Sequence, residues 1–165
     1  MYERRIKDLM LNIEAFRRIS PQTKVAEAVM ALAEKRSGTD PSFLLVIEES
    51  ENKEEILGML SIDNILERIE PPANPMEDME DIPIFWQGQF LAECEAILDR
   101  LVSEIMSPVI YVTHKNGTLM EALHLMNSKK VDSLAVVQGE DVVGILLKED
   151  LFKEILRVIK PRPSA

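Results

Sequence analysis

The chain is poor in the residues that build most metal and catalytic centres. Its 165 residues include one cysteine, Cys94, and two histidines, His114 and His124. A single thiol excludes an internal disulfide and any multi-cysteine metal site. A zinc centre would have to be assembled mostly from carboxylates, an uncommon donor set. The signatures Gly-x-Ser-x-Gly, Gly-Lys-Ser/Thr after a glycine loop, and His-Glu-x-x-His are all missing, so the expectation is a protein that is not an enzyme. Apolar runs stay within a handful of residues, whereas a bilayer-spanning helix needs about 20. Met1-Tyr2-Glu3-Arg4-Arg5 is not followed by an apolar stretch long enough for a secretion signal. The expected location is cytoplasmic, with no membrane partner.

Positive charge is also scarce. Nineteen Lys and Arg face 29 Asp and Glu, a formal net charge of −10. Residues 1–70 are net −4, residues 71–100 net −6 and residues 101–165 neutral. A nucleic-acid polymer needs a basic face to neutralise its phosphates, so none is expected as a partner. A small anionic ligand needs only two or three local cations and remains compatible. What the chain does have is apolar content: 46% hydrophobic residues, enough for a core in a chain that should bury roughly 70% of its unfolded surface.

The sequence repeats. Asp8-Leu9-Met10 matches Glu104-Ile105-Met106, 96 residues on, and Glu27-Ala28-Val29-Met30 matches Glu121-Ala122-Leu123-His124, 94 on. Phe43–Ile47 matches Ser133–Val137 at an offset of 90, and Gly58-Met59-Leu60 matches Gly144-Ile145-Leu146 at 86. The shrinking offset places ten extra residues in the first copy, spread over three loops. Each copy reads as a short strand (16–19; 109–112), a helix, an apolar strand, a second strand (56–60; 142–147) and a closing helix (62–69; 149–159). Thr118-Leu119-Met120-Glu121 is a capping box at the start of the second copy's first helix. Val25, Ala28, Val29 and Leu32 in copy one, and Leu119, Ala122, Leu123 and Met126 in copy two, fall at helical spacing. The second copy's hairpin turn is Gln138-Gly139-Glu140-Asp141; the first copy's is the acidic loop Glu48–Glu55. Pro71 and Pro161 should stop the closing helices. The fold class is therefore α/β of the α+β kind: two β-α-β-β-α repeats packed as a pseudo-twofold pair, since three strands cannot bury both faces alone.

This order, with Gly-apolar-apolar ending the third strand and Asp or Asn six positions after the Gly, resembles the cystathionine-β-synthase (CBS) domain. Two in tandem resemble a stand-alone Bateman module. The segmentation is CBS domain 1 over residues 1–70, an arm over 71–100, CBS domain 2 over 101–160 and a tail over 161–165. The phrases Val102-Ser103-Glu104-Ile105-Met106-Ser107-Pro108 and Val143-Gly144-Ile145-Leu146 fit well. The resemblance implies a regulatory sensor that binds an adenosine nucleotide (AMP, ADP, ATP or a related molecule) in the cleft between repeats, forms a homodimer, and signals to a partner in trans. No cofactor is implied beyond such a ligand.

The ligand motif of the family is Gly-apolar-x-Ser/Thr-x-x-Asp/Asn. Gly58-Met59-Leu60-Ser61-Ile62-Asp63-Asn64 matches it completely. The resemblance implies that Gly58 lets backbone approach the ligand, that Ser61 favours an anion at the helix start, and that Asn64 bonds the ribose hydroxyls. The alternative is that Ser61 is an N-cap and Asn64 an ordinary first-turn residue. In the second copy, Gly144 and Asp150 are in place, but Leu147 stands where the hydroxyl belongs, implying a weaker half-site. The alternative there is a plain helix start with Asp150 near the positive end of the dipole. From the same alignment Ile13–Arg17 and Pro108–Ile110, including Ile13 and Ile110, would flank the base, as would Pro41-Ser42 and Val131-Asp132. Arg17, Arg18, Lys148 and His114 are the basic candidates for phosphate, or else solvated surface residues.

The arm carries Glu77, Asp78, Glu80 and Asp81, a run without the loop glycine of a calcium site. It then carries Ile84, Phe85, Trp86 and Phe90, and a helix is expected over 91–101 with Leu91, Cys94, Ile97, Leu98 and Leu101 on one stripe. Either the arm folds back and plugs the module or its dimer interface, or its aromatic residues dock a protein partner. The second option gives an alternative function: a CBS-fold scaffold that has lost nucleotide binding and acts through residues 82–90.

Overall fold

A computed structural model describes residues 2–34, 43–70, 88–108 and 111–160. Two compact units emerge, and they do not follow the order of the chain. One is Phe16–Pro108; the other joins Met1–Ala15 to Val109–Ala165.

The first unit contains a sheet of order β2-β3-β4-β5: β2 (Arg18–Ile19), β3 (Phe43–Ser50), β4 (Lys53–Ser61) and β5 (Ser107–Pro108). Helices α2 (Val25–Ala33), α3 (Ile62–Ile69), α4 (Gln89–Leu98) and α5 (Val102–Ile105) belong to it. The second unit contains a sheet of order β1-β8-β7-β6, made of β1 (Leu11–Asn12), β6 (Val112–His114), β7 (Ser133–Gln138) and β8 (Asp141–Leu147), with α1 (Ile6–Leu9), α6 (Leu119–Lys129) and α7 (Lys148–Ile159). The expected β-α-β-β-α order is present in both. What the repeat did not reveal is that its two opening phrases change places. Residues 5–12 supply α1 and edge strand β1 to the second repeat's sheet, and residues 102–108 supply α5 and β5 to the first.

The sequence offsets are also register equivalences. Ile19, Val46, Gly58 and Pro108 form one row across the first sheet; Thr113, Val136, Gly144 and Asn12 form the matching row of the second. These partners are separated by the same 94, 90, 86 and 96 residues as the sequence matches. Both hairpins carry a register shift at the same place, between Val46 and Ile47 and between Val136 and Val137. The cores correspond as well. Val102, Ala28, Leu44, Val46 and Leu60 are buried in the first; Ile6, Ala122, Leu134, Val136 and Leu146 in the second. Apolar side chains at equivalent strand and helix positions thus face the same way twice, as period-2 and period-3.6 patterns require.

Two local expectations need correction. Glu48–Glu55 is not a loop. The four extra residues lengthen the hairpin by two rungs, with Glu48 opposite Glu55, Glu49 opposite Glu54, and a two-residue turn at Glu51-Asn52. Asn52 takes φ of 62°, a left-handed conformation that Asn tolerates better than most side chains. The arm helix begins at Gln89 and ends at Leu98. Ile97 and Leu98 pack on the core of the first unit, whereas Leu91 is exposed and Leu101 lies outside the helix, bridged to Lys24. The acidic run at 77–81, Ile84, Phe85, Trp86, Pro71 and Pro161 fall outside the described residues.

Candidate functional site

The motif of the first repeat sits where β4 runs directly into α3. β4 ends at Ser61, which pairs with Phe43, and α3 begins at Ile62. The junction is held by a reciprocal cap. The Ser61 hydroxyl accepts from the Asn64 backbone N–H at 3.3 Å, and the Ser61 backbone N–H donates to Asn64 Oδ1 at 2.8 Å. The Ser61 hydroxyl also donates to Oδ1 at 3.0 Å. The carboxamide continues outward: Asn64 Nδ2 donates to Ser107 Oγ at 2.7 Å. Ser107 lies on β5, 43 residues away in sequence. No spacing rule links these residues; only the exchanged opening phrase brings them together.

Gly58 lies under β5. A Cβ on it would collide with the carbonyl oxygen of Ser107 and meet the Met106 sulfur at 3.0 Å. What the glycine admits here is a neighbouring strand, which gives it a packing role whether or not a ligand also approaches.

Arg17 precedes β2, and its carbonyl accepts from Leu45 N–H at 2.9 Å. Its guanidinium donates to the carbonyl oxygens of Ala31 and, at 3.3 Å, Glu34, capping the end of α2, whose last turn has no basic residue of its own. Arg18 is paired with Glu54 on the hairpin. A hollow of about 350 Å³ is lined by Arg17, Arg18, Ile19, Ala31, Glu34 and Leu44. It lies at the end of the sheet that carries the motif, since Leu44 pairs with Leu60, next to Ser61.

In the other unit the structure gathers Asp132, Lys148 and Asp150 where β7 and β8 meet α7. Lys148 N–H donates to the Asp132 carbonyl at 2.9 Å, and the two side chains form an exposed ion pair at 3.6 Å. Asp150 Oδ2 accepts from Leu147 N–H at 3.3 Å, half of a capping box whose hydroxyl half leucine cannot supply. Gly144 lies under β1 as Gly58 lies under β5. Val131 closes the end of α6 by donating to Met126 O at 3.1 Å, after Lys130 in the left-handed conformation. Ile13 also belongs to this unit, in a short 3₁₀ turn, and so is grouped apart from Arg17, Gly58, Ser61 and Asn64. The His114 imidazole Nδ1 accepts from Asn116 N–H. Ser42 and Ile110 lie outside the described residues, and Phe90 is exposed on α4. Among the described residues no group of His, Cys, Asp and Glu could hold a metal ion, and no helix is long and apolar enough to cross a membrane.

Comparison with known proteins bears on this arrangement. Residues 102–157 match the sequence profile of the CBS domain. The full architecture matches CBSX2 from Arabidopsis thaliana, a CBS-pair protein, with a TM-score of 0.65 at 19% identity over 97% of this chain and 99% of that one. The chain has the CBS-pair fold. CBSX2 has also been solved with AMP (TM-score 0.61, 19% identity, 94% of this chain and 98% of that one). The CBS domain of a bacterial CNNM/CorC family Mg2+ transporter, solved with ATP, matches with a TM-score of 0.63 at 19% identity, over 92% of this chain and 87% of that one. No curated protein matches the sequence. The expected ligand motif is complete over Gly58–Asn64 and broken in the second repeat at Leu147. Ser107, which the sequence reading quoted only as part of an opening phrase, is the residue that reading missed.

Proposed function

We propose that this CBS pair is a regulatory module that binds an adenosine nucleotide through the first repeat's Gly58–Asn64 motif and passes its occupancy to a protein partner. The observation that carries the reading is the meeting of Ser61 and Asn64 at the amino end of α3, at the same end of the sheet as the hollow beside Arg17. β2, β3 and β4 are neighbours, so the hollow and Ser61 share one end of one sheet. The AMP and ATP complexes of proteins with the same fold support the ligand class. Binding would act by population shift, favouring whichever arrangement of the module holds nucleotide better.

The test is thermal unfolding with AMP, ADP, ATP and S-adenosylmethionine. A ligand at ~100 times its dissociation constant should add ~2.7 kcal/mol. Ser61→Ala with Asn64→Ala should abolish the shift; Leu147→Thr should preserve or strengthen it. One observation favours the scaffold reading instead: Arg17, Arg18 and Lys148, three of the four basic candidates for phosphate, are already engaged by protein groups. No shift with any ligand at millimolar concentration selects that reading.

Homodimer formation belongs to the same proposal. On α7, Phe152, Ile155, Leu156 and Ile159 follow helical spacing and are all exposed, Ile155 by 54%. A contiguous apolar stripe of this kind marks an interaction surface. Sedimentation equilibrium of Ile155→Glu should give a monomer where the parent gives a dimer.

A further inference from the structure

Helices α3 and α7 are equivalent, related by the offset of 86, and each turns apolar side chains outward. On α7 the exposed stripe runs through Phe152, Ile155 and Ile159; on α3 it is Ile62 and Leu66, exposed by 50% and 53%. Leu66 is the counterpart of Phe152. What differs is the edge beside each stripe. On α3 the adjoining positions are Asp63, Glu67 and Glu70, all acidic and all exposed. On α7 the same edge holds Glu149, Lys153 and Lys160, also exposed. Spacings of three and four keep such residues on one side of a helix. Arg68, the basic residue of α3, is turned to the Glu104 carbonyl, to which it donates at 3.1 Å.

The contrast extends to the whole units. Phe16–Pro108 carries 8 basic and 19 acidic side chains, net −11, whereas Met1–Ala15 with Val109–Ala165 carries 11 and 10, net +1. All of the excess negative charge therefore lies in the unit that contains α3.

We propose that two copies of this chain pair crosswise, with α3 of each copy covered by α7 of the other. The inference rests on the homodimer reading above and sharpens it by naming which surface covers which. Pairing α3 on α3 would set acidic edge against acidic edge and bring two units of net −11 together, and like-charge juxtaposition is costly. Pairing α3 on α7 covers the same apolar side chains while Glu67 approaches Lys153. The stripes supply the buried area. The charged edges choose the orientation, which is what electrostatic complementarity does best. Made twice about a twofold axis, the contact is isologous and closes at two copies.

Crosslinking reads the partner helix directly. Cys94→Ser removes the native thiol. In that background, chains with Leu66→Cys and chains with Phe152→Cys are equilibrated separately or mixed, then treated with a short bis-maleimide. The mixture should give a covalent dimer on a denaturing gel, and neither variant alone should. Charge reversal is the second arm, read by sedimentation equilibrium. Glu67→Lys and Lys153→Glu should each weaken the dimer about tenfold, and the double variant should regain the parent's affinity. Crosslinked product from either variant alone overturns the crosswise pairing, as does a dimer that neither single charge reversal weakens. In both cases the parent still sediments as a dimer, so the homodimer reading stands. A parent that sediments as a monomer removes the homodimer reading and the pairing together.

Discussion

A Cβ placed on Gly144 would stand 2.6 Å from the carbonyl oxygen of Leu11. No side chain fits there without displacing β1, and the same holds for Gly58 beneath β5. Gly144→Ala should therefore destabilise the protein by about 1–3 kcal/mol, the usual cost of forced overpacking. Thermal unfolding measures the loss, and amide exchange should accelerate at Leu11 and Asn12 first. Unchanged stability would mean that β1 does not lie where it is described.

Ile6 is fully buried, at 0% exposure, in the core formed by α6, β7 and β8. Ile6→Ala should cost about 2–5 kcal/mol. The informative readout is where the loss falls. Hydrogen exchange should lose protection across residues 111–159, more than a hundred residues downstream, rather than across 18–69. Loss confined to 18–69 would restore the sequential boundaries.

The exchange explains how much could be read in advance. Offsets of 94, 90 and 86 survive as strand register because each compares like with like inside one sheet, and a one-residue slip would turn Leu44, Val46 or Leu60 out of the core. The Thr118 capping box is present, with Glu121 N–H donating to Thr118 Oγ1 at 3.1 Å, because all its atoms lie within one turn. The seat of residues 5–12 was not legible, since a repeat shows which phrases are equivalent and not which sheet each one joins. The contact between Asn64 and Ser107 follows from the seat of residues 102–108 in the first sheet, equally hidden in the repeat, so the site was legible only as far as its local cap. The acidic hairpin was misread for another reason: five glutamates in eight residues have low strand propensity, and cross-strand pairing overrode it.

That pairing has a testable cost. Glu48 and Glu55 are directly opposite, and like charges so placed repel. Glu55→Lys should stabilise the protein by roughly 0.2–1 kcal/mol at low salt, and the gain should shrink as salt screens the new pair. Glu54→Lys should not help, because Glu54 holds Arg18. Urea unfolding at two ionic strengths distinguishes these outcomes; a gain from Glu54→Lys would refute the assignment.

The hydrogen bond from Arg100 holds the Glu104 carboxyl below its ordinary value of 4.5, with help from the Leu101 N–H and the charges of Arg100 and Arg68. Because the folded value is the lower one, the contribution is complete above the ordinary value and is lost as pH falls through the folded value. Glu104 is exposed, so the effect on stability is small. A carbon-detected titration should place its midpoint below 4.5, and Arg100→Ala should move it upward. An unmoved midpoint would show that Arg100 is not the cause.

The crossed opening phrases also order events during synthesis. Residues 5–12 leave the ribosome long before β7 and β8 exist to receive them, while residues 102–108 arrive when β3 and β4 are already waiting. The first sheet can close as the nascent chain grows; the second must recapture a segment made roughly a hundred residues earlier, a long-range closure that slows folding. Chaperones that shelter nascent chains would meet this protein with Ile6 still looking for its seat.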